Sequence, residues 1–250
     1  VYDYLVYLEQ QLNITIKRVK ADSSAEIARK RAYVETKWRE EGVLESIIQD
    51  ALSVLQPTGN PFLDLCLWKG RFPSRKAQFC TEELKRNPVF EHVILPALEL
   101  GSVDSWQGVR ADESRLRAGY AEREEEGGGL VIYRPLLQWT VQDVFAMHRK
   151  HGIEPNPLYK QGMGRVGCMP CINASKAELK EIGHRFPAEV SRIREWERLV
   201  SKASKRGASS FFNAAKTPGV VIENIDGVMK WARTTRGGKN YGLFLQPSMY

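Results

Sequence analysis

The chain has 250 residues, 42% hydrophobic and 27% charged, which is enough for one sizeable core with a small appended lobe and excludes wholesale disorder. No run approaches the roughly 18 consecutive apolar residues needed to cross a bilayer, and the N-terminus lacks a secretory pattern, so a cytoplasmic protein with no membrane association is expected. A formal charge of +7 and a pI near 9.2 point to a polyanionic partner, whether a nucleotide, a sulfonucleotide or a nucleic acid.

In chain order, Tyr4, Leu5, Leu8 and Leu12 recur at helical spacing. That pattern begins at Val1 without a methionine, so the start reads as internal. The alternating β-branched residues of Ile14–Val19 fit a short strand, and Asp22 and Ser23 supply helix-start chemistry. Helices are expected over about Ala25–Glu41 and Leu44–Leu55, followed by a turn-rich connector from Pro57 to Pro61. A basic loop, Lys69–Lys76, leads into a helix around Ala77–Arg86. Ser102–Val109 reads as a strand running directly into charged residues, the place where open α/β sheets bind ligands. Gly127–Gly129 is a tight connection, and Leu130–Leu137 is a second late strand interrupted by Pro135. Thr140 caps a helix over Val141–His151, and Ser175 caps a long charged helical region to about Arg206 with a break at Pro187. Gly207–Tyr250 is Gly-rich and irregular except for a short helix near Ile225–Ala232.

Chemistry concentrates in two constellations. Cys168 and Cys171 flank a proline with the spacing of a metal or cluster site, a spacing shared by redox dithiols and zinc knuckles. With Cys66 and Cys80 the chain has four cysteines, the number used by a 4Fe-4S cluster or by a structural zinc. Cys80 follows a basic loop that would stabilise a thiolate, whereas the neighbours of Cys66 suit a small buried hydrophobe.

The second constellation is Gly108–Arg117. Arg110 and Arg117 present fork-shaped guanidinium groups that match sulfate or phosphate oxygens, Glu113 can lock either of them, and Ser114 lies between. An ordinary surface salt-bridge cluster is the competing explanation. Arg71, Arg75 and Lys76 form a further basic set, Arg165 adds a cation just before Gly167, and Trp106, Trp139 and Tyr159 serve either for base stacking or for packing.

Taken together, these segments resemble the phosphoadenylyl-sulfate (PAPS) reductase family. Cys80–Pro88 resembles the family's cysteine, lysine and proline segment, and Gly108–Ser114 its G-[VIL]-R-x-x-[EQ]-S element. Pro135–Val144 resembles the P-[LI]-x-x-W segment, and Asn156–Tyr159 with Gly167–Cys171 the N-P-L-Y and G-C-x-P-C region. Among the family's members, the chain resembles the PAPS-reductase-like proteins often carried by phages and prophages.

The resemblance implies an α/β fold with a parallel sheet, of the adenine nucleotide alpha-hydrolase-like (PP-loop ATP pyrophosphatase) type, N-terminally incomplete and with a helical C-terminal extension. Residues 1–174 would form the partial reductase-like domain and 175–250 the extension and irregular tail. Cys80, Cys168 and Cys171, with Cys66 as the fourth, would ligate a 4Fe-4S cluster, with structural zinc as the alternative. Arg110 and Arg117 would hold the phosphate or sulfate end of an adenine nucleotide or sulfonucleotide, with an electron donor such as thioredoxin as a partner.

The chain departs from the family in three places. The S-G-G-x-D-S phosphate-binding loop does not occur in it, no cysteine follows Cys171 to serve as the reductases' C-terminal nucleophile, and the Tyr241–Tyr250 tail matches none of the family's segments. Two functional readings follow. One is a sulfonucleotide reductase-like or nucleotide-dependent sulfur-transfer enzyme, and the other is a catalytically inactive nucleic-acid-binding or regulatory protein on the same scaffold. No catalytic residue is assigned by either.

Overall fold

The structure, a computed structural model, describes residues 2–164, 166–212 and 222–235. Arg165, and residues 213–221 and 236–250 of the expected irregular tail, lie outside the described residues. The described residues form two compact units, one from 2–19 and 87–166 and the other from 20–86 and 167–235.

The first unit is built on a small sheet. Strand β1 (Val103–Trp106) pairs in parallel with β3 (Leu130–Tyr133), and β2 (Arg123–Gly127) pairs antiparallel with β3, giving the order β1-β3-β2. The sheet is therefore mixed, which corrects the parallel sheet expected from the sequence. The hairpin between β2 and β3 turns on Gly127, Gly128 and Gly129, all at positive φ, a conformation that side chains disfavour. The Ile14–Val19 stretch forms no strand. Its backbone is drawn back onto the preceding helix, Tyr2–Leu12, where Glu9 accepts the Ile16 N–H at 2.9 Å and pairs with Arg18 at 2.6 Å. The same helix is tied to the 152–155 loop, because Tyr4 donates to the Glu154 carbonyl and Tyr7 accepts the Glu154 N–H. The Val141–Lys150 helix starts at a reciprocal cap between Thr140 and Asp143.

The second unit is helical. Helices Ser24–Tyr33, Glu45–Val54, Pro61–Lys69, Lys176–Arg185, Pro187–Ala203 and Ile225–Ala232 enclose one apolar cluster that includes Ile27, Val34, Ile48, Leu67, Ile193 and Val228. The last three of these helices make up a C-terminal helical extension. The Pro61–Lys69 helix has strong local punctuation: Asn60 accepts the N–H groups of Phe62 and Leu63, Pro61 occupies the first turn, and Gly70 closes the helix in the left-handed region. Gly70 fits closely there, since a Cβ would meet the Ala203 carbonyl oxygen at 3.1 Å. Ser175 and Glu178 form a reciprocal cap on Lys176–Arg185, and the chain breaks at Phe186 before Pro187. No helix among the described residues is long and apolar enough to cross a membrane.

Candidate functional site

In the first unit, the segment that leaves the C-terminal end of β1 carries the predicted anion-binding residues. The Ala111 N–H donates to the Leu137 carbonyl at 2.8 Å, which fixes this segment beside the turn that follows β3. Arg110 is the most buried of the set, with a side chain 19% exposed; its Nε contacts Asp112 at 3.1 Å and its Nη2 lies 3.9 Å from Glu113. Glu113 also pairs with Arg117, so a single carboxylate holds two guanidinium groups together. Ser114 acts on the backbone instead, where its hydroxyl accepts the Arg117 N–H at 3.2 Å and caps the short Arg115–Ala118 helix. Of the three candidate stacking aromatics, Trp106 is 70% exposed and stands edge-on to Tyr133.

Arg134, just after β3, was not singled out from sequence. It is 5% exposed, donates to the Ala121 carbonyl at 2.8 Å, pairs with Glu124 at 2.9 Å and lies over the Tyr120 ring. An arginine within the apolar Leu130–Leu137 run was the available signal. Through these bonds it clamps the 120–124 segment to the end of β3, a supporting role for the neighbouring loop.

Arg71, Arg75 and Lys76 lie in the second unit. Ser74 and Ala77 exchange backbone hydrogen bonds, each of 3.1 Å, placing Arg75 and Lys76 at the tip of a tight turn. Arg71 lies 5.6 Å from the centre of the Phe79 ring. Arg165, the remaining predicted cation, lies outside the described residues.

All four cysteines are free and belong to the second unit, but they do not make a metal centre. Among the described residues, no group of three or more His, Cys, Asp or Glu side chains is placed to hold a metal ion. The expected 4Fe-4S cluster on Cys66, Cys80, Cys168 and Cys171 is therefore corrected, and with it the structural zinc alternative. The physical reason is the environment of each thiol. Cys66 is 0% exposed within the apolar cluster, where burial, and secondarily the nearby Cys80, pushes its thiol well above the usual range. Cys80 is half-buried; burial raises it, Lys85 offsets part of the rise, and Cys168 and Cys171 add to it. Cys66 is enclosed by the packed core while Cys168 faces solvent, so the four thiols do not converge on one centre. Cys168 is exposed, and the Cys171 sulfur accepts the Asn173 N–H at 3.5 Å.

Comparison with known proteins locates this architecture. The chain matches the phosphoadenosine phosphosulfate reductase domain family over residues 1–174. It is 49% identical over 264 residues to a 37.8 kDa protein from the gpa 5' region of Escherichia phage 186, a match covering 96% of this chain and 79% of that protein. An adenosine 5'-phosphosulfate reductase of Burkholderia cepacia is 33% identical over 99 residues, which is 39% of this chain and 36% of the reductase. The corresponding reductase of Allochromatium vinosum is 38% identical over 77 residues, covering 30% of each chain. The similarity to these reductases thus spans only about a third of their length. No solved structure gives a significant match. With residues 1–174 of its 250 inside the family match, and a small α/β sheet carrying the arginine-bearing loop within that stretch, the chain belongs to the phosphoadenosine phosphosulfate reductase domain family.

Proposed function

We propose that the protein binds an adenine sulfonucleotide of the adenosine 5'-phosphosulfate class and acts in its reduction or in nucleotide-dependent sulfur transfer. The scaffold would be of the adenine nucleotide alpha-hydrolase-like (PP-loop ATP pyrophosphatase) type. The observation that carries this reading is the Arg110–Glu113–Arg117 arrangement at the C-terminal end of β1. One carboxylate orients two guanidinium forks; with Asp112 beside Arg110 the charges of the cluster balance, so an incoming anion would be taken by the N–H donors that the two forks leave over from these pairs rather than by a net positive charge. A phosphosulfate presents oxygens on two adjacent centres, and paired guanidinium groups are suited to grip both. Such a grip also withdraws negative charge from the sulfuryl group and lowers its repulsion toward an anionic nucleophile.

Ser114, as a helix cap, supports the loop rather than the ligand. Reduction of a sulfonucleotide consumes two electrons, and a dithiol donor such as thioredoxin has the chemistry to supply them. No step in this reading passes through a metal.

Calorimetric titration of the protein with adenosine 5'-phosphosulfate tests the reading. The Arg110→Ala, Arg117→Ala double variant is expected to weaken binding by about tenfold or more, as lost charge-assisted hydrogen bonds imply. Unfolding measurements on the same variant control for stability. Equal affinity in the variant and the parent chain would remove the arginine pair from the binding site and with it the basis for this function.

A further inference from the structure

Charge is divided unequally between the two units. Among the described residues, the second unit carries 23 Lys and Arg against 17 Asp and Glu, whereas the first carries 10 against 13. The positive excess of the described chain therefore belongs entirely to the helical unit, not to the unit that carries the proposed sulfonucleotide grip.

Within that unit about half of the exposed cations are neutralised by an acidic neighbour, and the others are scattered singly except in the 71–76 loop. Arg29 pairs with Glu26, Lys37 with Glu40, Arg39 with Glu45, Arg198 with Glu195, Lys202 with Asp50 and Lys205 with Glu41. The 71–76 loop is built otherwise. Arg71, Arg75 and Lys76 are exposed, and among the described residues none of the three has an acidic partner. The remaining residues of the chain contain no Asp or Glu that could serve. The nearby acids are engaged elsewhere, Glu83 with Lys69 at 3.0 Å and Glu82 with Arg86 at 3.9 Å. Lys85, one helical turn beyond Cys80, adds a fourth exposed cation.

The loop is also held rigid. Phe72 and Phe79 are buried at its two ends, and the reciprocal Ser74–Ala77 hydrogen bonds lock the turn whose tip is Arg75–Lys76. Gln78 braces it by donating to the Arg75 carbonyl at 3.2 Å while its side-chain oxygen accepts the Asn173 amide at 3.3 Å. A preorganised turn with solvated, unneutralised cations costs little entropy when an anion docks on it.

From this geometry we propose that the 71–76 turn, with Lys85, is a docking surface for the phosphate backbone of a nucleic acid duplex. A polymer accounts for a charge excess spread over a whole unit in a way that one small anion does not. The duplex is favoured over a single strand because the aromatic rings here are not free to stack on bases: Phe72 and Phe79 are buried, and Trp68 lies under Lys69 at 3.8 Å. The contact is to backbone rather than to base edges, since a short turn presents no helix or ribbon to a groove.

The test is fluorescence anisotropy of the protein with a short random-sequence DNA duplex across a salt series. The parent chain should bind at low salt and weaken as salt rises. The R71A/R75A/K76A variant should lower the slope of log affinity against log salt by about three, one unit per lost phosphate contact, and weaken low-salt binding by about tenfold or more. A control of equal charge, R29A/K37A/R198A, removes cations that already have partners and should change the slope far less; thermal unfolding confirms that both variants fold. Absence of duplex binding at low salt, an equal loss in the control, or tighter binding of a single strand of the same sequence would each overturn the proposal. So would competition by adenosine 5'-phosphosulfate that vanishes in R71A/R75A/K76A, since the turn would then serve the small anion. Failure of the Arg110 and Arg117 reading leaves every one of these outcomes unchanged, so the two ideas fall separately.

Discussion

The carboxylate of Glu197 accepts the backbone N–H of Ile225 at 2.8 Å across 28 positions of chain, from the middle of one helix to the first residue of another. Its second oxygen accepts the Phe211 N–H at 2.8 Å and the Ser210 hydroxyl at 3.2 Å. Glu197 is 5% exposed, so this one side chain pins the Ile225–Ala232 helix and the 210–211 segment onto the Pro187–Ala203 helix.

Replacing Glu197 with Ala strands two buried N–H groups, and we expect a loss of about 2–4 kcal/mol in urea unfolding. Burial raises the Glu197 pKa above the ordinary carboxylate value, against the lowering effect of its hydrogen bonds. A raised folded-state value means that the native state holds this proton more tightly than the unfolded chain. The group's pH-linked contribution is then fully present below the ordinary glutamate range and is lost as pH climbs through the raised value. Unfolding free energies of the parent chain and of Glu197→Gln, compared from about pH 4 to about pH 7, should show this decline only in the parent. Parallel pH profiles would place the titration elsewhere.

Thiol reactivity separates the four cysteines. Alkylation by iodoacetamide at neutral pH, read by peptide mass mapping, should modify exposed Cys168 first and leave Cys66 untouched until the chain unfolds. Cys80 should react slowly, and Lys85→Ala should slow it further, because Lys85 is the cation that lowers its pKa against the effect of burial. Equal rates for Cys66 and Cys168 in the folded protein would contradict the burial that excludes Cys66 from metal binding.

Much of this architecture was legible because local chemistry and tertiary packing agree. Thr140, Ser175 and Pro187 mark helix boundaries where the structure has them, and the Ile225–Ala232 helix was read with its observed limits. The strand at Leu130–Tyr133 stands out by its apolar content, and Val103–Trp106 falls inside the Ser102–Val109 stretch that reads as a strand. The sheet partner Arg123–Gly127 does not stand out, because a fully exposed REEEG strand has no buried face and hence no alternation. Ile14–Val19 misled for the opposite reason: its alternation is strong, but Glu9 captures its backbone and no neighbouring strand pairs with it among the described residues. Cysteine count and spacing suggested a cluster, yet spacing carries no information about where distant thiols point. The run of apolar neighbours around Cys66 was the better guide to its burial.

Gly70 is a position where backbone freedom is required. Its φ of 62° lies in the left-handed region, and an added Cβ would press on the Ala203 carbonyl oxygen. Gly70→Ala should therefore destabilise the protein by about 1–3 kcal/mol in chemical unfolding. Gly70→Asn meets the same carbonyl but tolerates the left-handed conformation better, so the difference between the two variants isolates the conformational share. If alanine and asparagine cost the same, the close contact alone governs the site.

Glu113 and Ser114 are neighbours with separable roles, and a pair of substitutions distinguishes them. Glu113→Ala frees Arg110 and Arg117 from their shared carboxylate; Asp112 still holds Arg110, so Arg117 loses most of its order. Affinity for adenosine 5'-phosphosulfate should then fall several-fold, by about 1 kcal/mol, the cost of ordering a long side chain anew on binding. Ser114→Ala removes only the cap on Arg115–Ala118 and should cost about 1 kcal/mol of stability, with a smaller effect on affinity. Titration calorimetry beside urea unfolding reads both quantities on the same samples. Should Glu113→Ala bind as tightly as the parent chain, the carboxylate is a surface ion pair and no positioning device, since pairs of that kind contribute little once solvated.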